Sequence, residues 1–415
     1  MRLATYRLTS DAPGTPSELP SGAFWARFGD EVLLFSDEAR WDALAERASF
    51  RALRLQERRP DVEREHLHVV VQNGRLFQQE HPDVPVILDR GRFLLVELDP
   101  EQARLLEGKS ATCYGVLPLR EDQVVFDVRD RTAERAAPVD WIQDLVDKVV
   151  GPAVQADLVH LVSFPTRYST SAHYANAAAW AQDQLEAMGY VTQLQDIIVD
   201  DSLSRNVIAD KEGHAAGARG VVLVTAHLDS INIQGGPAAP APGADDNGSG
   251  SAGVLEIARA FRDHRGEHDL RFILFGGEEE GLFGSKRYVA NLPAEEKARL
   301  RAVVNMDMIG TLNAPTRSVL LEGAPLSQRI IDGLSQAAMT YTQLAVETSL
   351  HPFASDHVPF IDVGIPAVLT IEEADSTNGN VHSGADTIDH VNYDFALEIL
   401  HTNVAFIASE VGRAS

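Results

Sequence analysis

Residues 220–230, GVVLVTAHLDS, with 243–250, GADDNGSG, and 275–285, FGGEEEGLFGS, decide how this chain reads. The first is an unbroken apolar run that ends on a histidine and an aspartate. A run without polar alternation suits a strand covered on both faces. DLRFILFGG (269–277) repeats the form and ends on Glu278, Glu279 and Glu280; RAVVNM (301–306) ends on Asp307. In open α/β sheets, ligands bind beyond the carboxyl ends of the strands. One histidine after an apolar strand is ordinarily structural. Three strand ends that each deliver a metal-type ligand point to a site.

Outward from these runs, strands alternate with helices. AHYANAAAWAQDQLEAMG (172–189) puts Tyr174, Ala178, Trp180, Leu185 and Met188 on one helical face and stops at Gly189, as a C-cap glycine does. SGSAGVLEIARAFRDH (249–264) reads as a helix, IPAVLTIEE (365–373) as a strand, and YDFALEILHTNVAFIASEVG (393–412) as a closing helix. The pattern predicts an α/β domain over residues 136–415, with a mixed, largely parallel sheet sandwiched by helices.

Residues 1–135 differ in texture. Short apolar runs (EVLLFS, LHVVVQNG, VPVIL, RFLLVELD, ATCYGVLPL) alternate with polar turns, and PEQARLLEG (100–108) is helix-like. A small N-terminal α+β domain is expected there. His66 and His68 fall in an alternating strand pattern and read as surface residues, not ligands. DVRDRTAERAAPVD (127–140) is charged, Ala-rich and Pro-terminated, and is the linker candidate.

The net charge of −25 argues against nucleic acid and anionic membrane surfaces as partners. Its plainest reading is solubility, and it mildly favours cationic ligands, among them peptides with a free ammonium group. Cys113 is the only cysteine, so an intramolecular disulfide and a thiolate zinc site are both excluded. No apolar run approaches the ~18 residues of a membrane span. The opening MRLATYRLTSDAPG lacks the apolar core of a signal peptide, so a cytoplasmic protein is expected.

A transition metal must therefore be held by imidazole and carboxylate. His227, Asp246, Glu279, Asp307 and His382 (in VHSGADTID) form a set that suits two zinc ions. Glu278 is a separate carboxylate beside Glu279. Neighbouring residues off a strand end point in different directions, so one can ligate while the other faces a water whose pKa falls towards ~7 on zinc. Asp229 lies two residues after His227, where it can accept the imidazole's other N–H. Asp246 sits in a turn that opens a helix, whose N-terminus favours negative charge; Asp245 competes by position alone. Glu280 reads as a solvated carboxylate at a helix start. Two metals and a free carboxylate are hydrolytic machinery, in aminopeptidase-like and phosphatase-like sites alike.

Taken in order, AHLDS, GADDNGSGSAGVLE, EEEGLFGS, NMDMIG, SDHVPF and HSGADTID resemble the M28 metallopeptidases, the co-catalytic zinc aminopeptidase family. RYSTS, from Arg167, is similar to the usual start of that catalytic domain. The resemblance covers roughly residues 140–415 and omits the N-terminal third. It implies a zinc-peptidase/phosphorylase-like fold and a di-zinc aminopeptidase acting on peptides with a free N-terminus. One Zn2+ would be held by His227 and Asp307, the other by Glu279 and His382, with Asp246 bridging. The family's D-x-x-S-G count selects Asp246 over Asp245. A non-proline cis peptide at Asp246–Asn247 is also implied. Glu278 carries over as general base on a metal-bridging water, then as general acid to the leaving amine. Co2+ or Mn2+ suits the same ligands.

The chain departs from the pattern at Val381, where several members carry a tyrosine that assists the oxyanion. His357 in SDHVPF reads as structural rather than as a pocket residue. The alternative is another zinc amide hydrolase of related fold: a carboxypeptidase, dipeptidase or deacylase of the M20 type, or a glutaminyl-cyclase-like enzyme. M20 members usually insert a lid between the fourth and fifth ligands, and the 75 residues from Asp307 to His382 are too few for one.

Overall fold

The computed structural model describes residues 2–8, 24–36, 53–59, 62–106, 114–129 and 136–414. Cys113 and residues 130–135 of the linker candidate lie outside the described residues. The chain forms two compact units, residues 1–128 with 347–353, and residues 129–346 with 354–415.

The first unit holds β1 (Arg2–Leu8), β2 (Phe24–Phe28), β3 (Glu31–Ser36), β4 (Leu53–Arg59), β5 (Leu67–Gln72), β6 (Val86–Arg90), β7 (Phe93–Glu97), β8 (Tyr114–Pro118) and β9 (Gln123–Val128). One sheet runs β9-β2-β3-β1-β4 and a second, wholly antiparallel one runs β6-β7-β5-β8. Helices α1 (Leu76–Glu80) and α2 (Pro100–Leu106) contribute Phe77 and Ala103 to a core with Val70, Leu94, Val96 and Val116. His68 is buried here, against the sequence expectation of a surface residue. Its strand is an inner one, and its Nδ1 lies 3.1 Å from the carbonyl of His66. Residues 347–353 join this unit because Glu347 and Thr348 pair antiparallel with Val128 and Asp127.

The second unit is built on β10 (Val191–Val199), β11 (Ser202–Lys211), β12 (Val221–His227), β13 (Asp269–Phe275), β14 (Leu300–Met306), β15 (Ser318–Glu322), β16 (Ala345–Ser349), whose last residues belong to the first unit, and β17 (Ala367–Glu372). Its sheet runs β10-β11-β13-β12-β14-β17-β15. The four strands β13, β12, β14 and β17 are parallel, while β11 and then β10 join antiparallel on one side and β15 on the other. The edge strand β10 alternates polar and apolar residues, so it carries no continuous apolar signal.

The unbroken apolar run of β12 now has its physical cause. Val222 and Val224 face one core, with α3 (Gly151–Val162), α4 (Ala172–Ala187), α5 (Gly250–Phe261), α7 (Gln328–Tyr341) and α9 (Tyr393–Val411). Val221 and Leu223 face the other, with Tyr288 from α6 (Phe283–Ala290) and Phe360 from α8 (Val358–Asp362). On α4 the buried line is Tyr174, Ala177, Ala178, Ala181 and Leu185, and Trp180 and Met188 are only partly covered. The small alanines let this helix lie close on β11, which displaces the larger side chains to its flank. Gly189 ends the helix at a φ of 90°. Among the described residues no helix is long and apolar enough to cross a membrane.

Candidate metal centre

Parallel pairing brings the three ligand-bearing strand ends to one edge. His227 is level with Phe275 on β13, and Thr225 is level with Asn305 on β14. Past β13 the chain turns through Gly277, at a φ of 67°, where a Cβ would meet the Val199 side chain at 2.7 Å. That turn aims Glu278 and Glu279 back over the edge.

Two imidazoles face one carboxylate. His227 Nε2 lies 3.2 Å from Asp246 Oδ1, and His382 Nε2 lies 3.0 Å from Asp246 Oδ2. His227 Nε2 also lies 3.2 Å from Asp307 Oδ1, and His382 Nε2 lies 3.1 Å from Glu279 Oε2. His227 Nδ1 is 3.2 Å from the Asp229 main-chain carbonyl, which can only accept. That nitrogen therefore carries a proton, and Nε2 is the nitrogen that faces the carboxylates. Glu278 stands apart, its Oε2 3.9 Å from His227 Nε2. The Asp246–Asn247 peptide is cis, as the resemblance implies. His382 (φ 57°) and Met308 (φ 50°) adopt the left-handed backbone conformation, which non-glycine residues keep only where their surroundings hold them.

The carboxylate of Asp229 has a different task from the expected one. It lies 3.7 Å from His227 Nδ1, too far for a hydrogen bond. Its oxygens instead accept the Glu278 and Glu279 amide N–H groups, at 3.3 and 3.1 Å. Asp229 thus pins the backbone of both glutamates. Glu280 also differs from expectation: α6 begins only at Phe283, and Glu280 is half-buried with its Oε1 accepting from Ser169 Oγ at 2.8 Å. Burial pushes it up to about 8.

The charge balance of the cluster is telling. Burial opposes the charge on His227, but Asp307 and Glu278 outweigh it and hold the ring well above the ordinary imidazole range. His382 is raised in the same way, by Glu279 and Asp246. Burial lifts Glu278 well above the carboxylate range and Glu279 to about 7. Burial also acts on Asp246, but its bonds to His227 and His382 hold it below that range. Four carboxylates thus face two imidazoles, and Glu279 Oε1 is buried with no hydrogen-bond partner. Uncompensated buried charge is costly unless paired or bound to metal. Hard oxygen and imidazole nitrogen donors, with no thiolate, fit zinc.

A model of Peptidase family M28 matches residues 206–407. A probable leucine aminopeptidase of Trichophyton verrucosum is 30% identical over 272 residues, covering 62% of this chain and 72% of that protein. Leucine aminopeptidase 1 of Arthroderma otae is 27% identical over 365 residues, covering 78% of this chain and 93% of its own. The chain belongs to peptidase family M28. The protein is accordingly an enzyme, a zinc-dependent exopeptidase. The solved structure of a zinc aminopeptidase from Bacillus subtilis shares the fold, with a TM-score of 0.58 at 17% identity over 64% of this chain and 97% of that one.

In this M28 peptidase the supports of the candidate ligands come from residues that no strand-end pattern singles out. Ser355 Oγ donates to Asp307 Oδ2 at 2.7 Å, and Asn305 Nδ2 donates to Ser355 Oγ at 2.9 Å. Thr225 Oγ1 donates to Asn305 Oδ1 at 2.7 Å, closing a buried relay. Asp386 accepts the amide N–H groups of Asp245 and Asp246, both at 3.0 Å. Asp245 points away from the imidazoles and accepts from Gly310 N and Asn378 Nδ2, each at 2.9 Å. The buried Arg167 guanidinium donates to the carbonyls of Leu228, Pro242 and Gly243, tying together the loops that carry His227 and Asp246. Asp386 lies in the HSGADTID motif and Ser355 in SDHVPF, so the motifs hold the signal although the roles depend on contacts. His357 is fully buried with its Nε2 3.5 Å from Glu322 Oε1, which suits the expected structural role.

Proposed function

We propose that this M28 peptidase is a di-zinc aminopeptidase that removes N-terminal residues from peptides. The observation that carries the reading is Asp246, whose two oxygens each lie beside a different imidazole, as a bridge between two ions would require. His227 and Asp307 would hold one Zn2+, and Glu279 and His382 the other. Relatives named as leucine aminopeptidases support a substrate with a free N-terminus. Residues 136–415 are the catalytic domain in this reading, and residues 1–135 a separate domain.

Bound zinc would supply Lewis acidity towards water and the scissile carbonyl. The chain's own residues do the rest. Glu278 is buried, faces the cluster and bonds to none of its ligands, so its Oε2 is free to take a proton and pass it to the leaving amine. Burial lifts its pKa well above the ordinary carboxylate range. Asp229 holds the Glu278 and Glu279 amides, and Ser355 and Asn305 hold Asp307. The Val381 side chain has no donor for an oxyanion.

The test is digestion of a short peptide library and of the same peptides N-acetylated, by zinc-loaded protein, with products read by mass spectrometry. Loss of single N-terminal residues from the free peptides alone is the expected result. Cleavage of acetylated peptides or release from the C-terminus would overturn the assignment in favour of a deacylase or carboxypeptidase. Loss of ammonia from an N-terminal glutamine would instead indicate glutaminyl cyclisation.

A further inference from the structure

We infer, on the reading of His382 as a zinc ligand, that the loop of residues 231–241 positions that histidine, with Asn232 as the strut of the loop. Every residue concerned lies in the second unit. The stretch INIQGGPAAPA (231–241) follows the strand end that carries His227 and Asp229. Its glycines, prolines and alanines offer little to a core, and Ile233 is 49% exposed. Polar bonds shape it instead. At the base, Ser230 Oγ donates to the Ala241 carbonyl at 2.7 Å, and Ala241 N donates to the Pro165 carbonyl at 2.9 Å. Ser230 and Ala241 are both buried. Across the middle, the Asn232 amide bonds at both ends. Its Oδ1 accepts from Gly235 N and its Nδ2 donates to the Pro240 carbonyl, each at 2.8 Å. A loop whose ends meet and whose middle is tied by its own side chain is a compact Ω-loop.

The loop reaches the His382 turn at two places. Ile233 N, next to Asn232, donates to the main-chain carbonyl of His382 at 3.1 Å. A Cβ on Gly384 would meet the Pro240 carbonyl oxygen at 3.3 Å, and that is the carbonyl Asn232 binds. One side chain thus fixes both points of approach. His382 needs such a hold, because its φ of 57° is a conformation that a non-glycine residue keeps only where its surroundings impose it. Its contacts with Asp246 and Glu279 run through Nε2, the nitrogen that would bind zinc. The bond from Ile233 is independent of that nitrogen, so it can place the residue whether or not an ion is bound. His227 stands differently: it ends β12, which is paired on both sides, and its Nδ1 lies beside the Asp229 carbonyl. His382 lies in a turn, and the loop supplies the support that the sheet gives to His227.

The test compares Asn232→Ala, His382→Ala and the double variant of the full chain with the wild type, reading zinc affinity by competition with a chromogenic chelator. Asn232→Ala is expected to weaken one zinc equivalent about tenfold, as when a partner that orients a metal ligand is removed, and to leave the other unchanged. His382→Ala is expected to lose that same equivalent. Adding Asn232→Ala to it is expected to change nothing for the zinc that remains, since both act through one ligand. A loop that only stabilised the fold would weaken both equivalents, or weaken the remaining zinc in the double variant. Either result would overturn the inference, as would unchanged affinity in Asn232→Ala. A second measurement needs no variant and stands even where Asn232→Ala does not fold: hydrogen exchange of the Ile233 amide in the wild type, with and without zinc. Zinc held by His382 is expected to slow that amide by about tenfold or more, because local opening of the bond must then disturb a bound ligand. Equal exchange in the two states would overturn the inference. A wild-type protein that binds zinc but releases no N-terminal residue would count against the aminopeptidase reading alone, since neither readout depends on turnover.

Discussion

Among the described residues, two of the clusters that bring a histidine and two carboxylates within 4.8 Å of one another invite comparison: Glu63, Glu65 and His66 in the first unit, and His227, Asp246 and Glu279 in the second. By residue type they are equivalent, yet their surroundings differ. The first sits on a short turn, with both glutamates exposed and His66 half-exposed. Water solvates those charges, so the 3.3 Å contact of His66 with Glu63 contributes little. In the second, His227 is 1% exposed and the Glu279 side chain 4%. The main-chain amides of Asp246 and Glu279 are held by the carboxylates of Asp386 and Asp229, and the charges of the cluster have no water to relax into. Donor type alone does not make a metal site. Burial that leaves anionic charge uncompensated is what sets the second cluster apart.

Asp246→Asn is the sharpest way to break this contrast. It removes the charge shared by both imidazoles, and zinc content is expected to fall from two equivalents to one or none, with turnover at background. Elemental analysis beside the peptide assay checks it, and two retained equivalents would end the bridging role. Next, Glu278→Gln is expected to keep both zinc equivalents and lose about 10³-fold in kcat, within the range of a general base. Near-normal turnover by that variant would remove Glu278 from the mechanism.

The third effect is one of pH. In the metal-free protein the surrounding carboxylates hold His227 and His382 protonated well above the ordinary range. Zinc requires neutral imidazole, so binding releases protons, and affinity rises with pH by about tenfold per unit for each proton released. Calorimetry in buffers of different ionisation enthalpy measures the release, and affinity that is flat with pH would contradict it.

A smaller effect is expected from Asp245→Asn. It weakens acceptance from Gly310 and Asn378 and costs about 1–3 kcal/mol of stability, while zinc content stays at the wild-type value. Denaturant unfolding with a zinc assay separates these, and lost zinc would give Asp245 the role assigned to its neighbour. The smallest effect belongs to the exposed cluster. The combined Glu63→Gln, Glu65→Gln and His66→Ala variant is expected to keep its zinc content and to change stability by no more than about 0.5 kcal/mol per site. A drop in bound zinc would show that exposure does not disqualify a cluster after all.

Legibility in the sequence followed the kind of information each residue carries. The central strands and the ligands after them were readable because β12, β13 and β14 bury both faces and so read as apolar runs that stop at the sheet edge. The edge strand β10 and the inner strand β15 carry no strand signal of their own, and neither do β1, β2, β4 and β9. They are short or carry polar residues among apolar ones, so their strand character depends on a partner. His68 and Glu280 were misread for one reason: alternation and local position say nothing about a neighbour that later covers the residue.

The sequence by itself determined the candidate donor set, the edge at which His227, Glu278, Glu279 and Asp307 emerge, and the exclusion of thiolate chemistry, because these follow from local periodicity and residue type. Only the tertiary structure decided that Asp246 faces both imidazoles while Asp245 turns towards Gly310. It alone decided that Asp229 binds the Glu278 and Glu279 amides, and that Ser355 and Asp386 hold the ligand loops. The return of residues 347–353 to the first unit belongs with these. Such partners lie from about fifty to more than two hundred residues apart in the chain, so their meeting depends on how the sheets and loops close, a property that no local window of sequence contains.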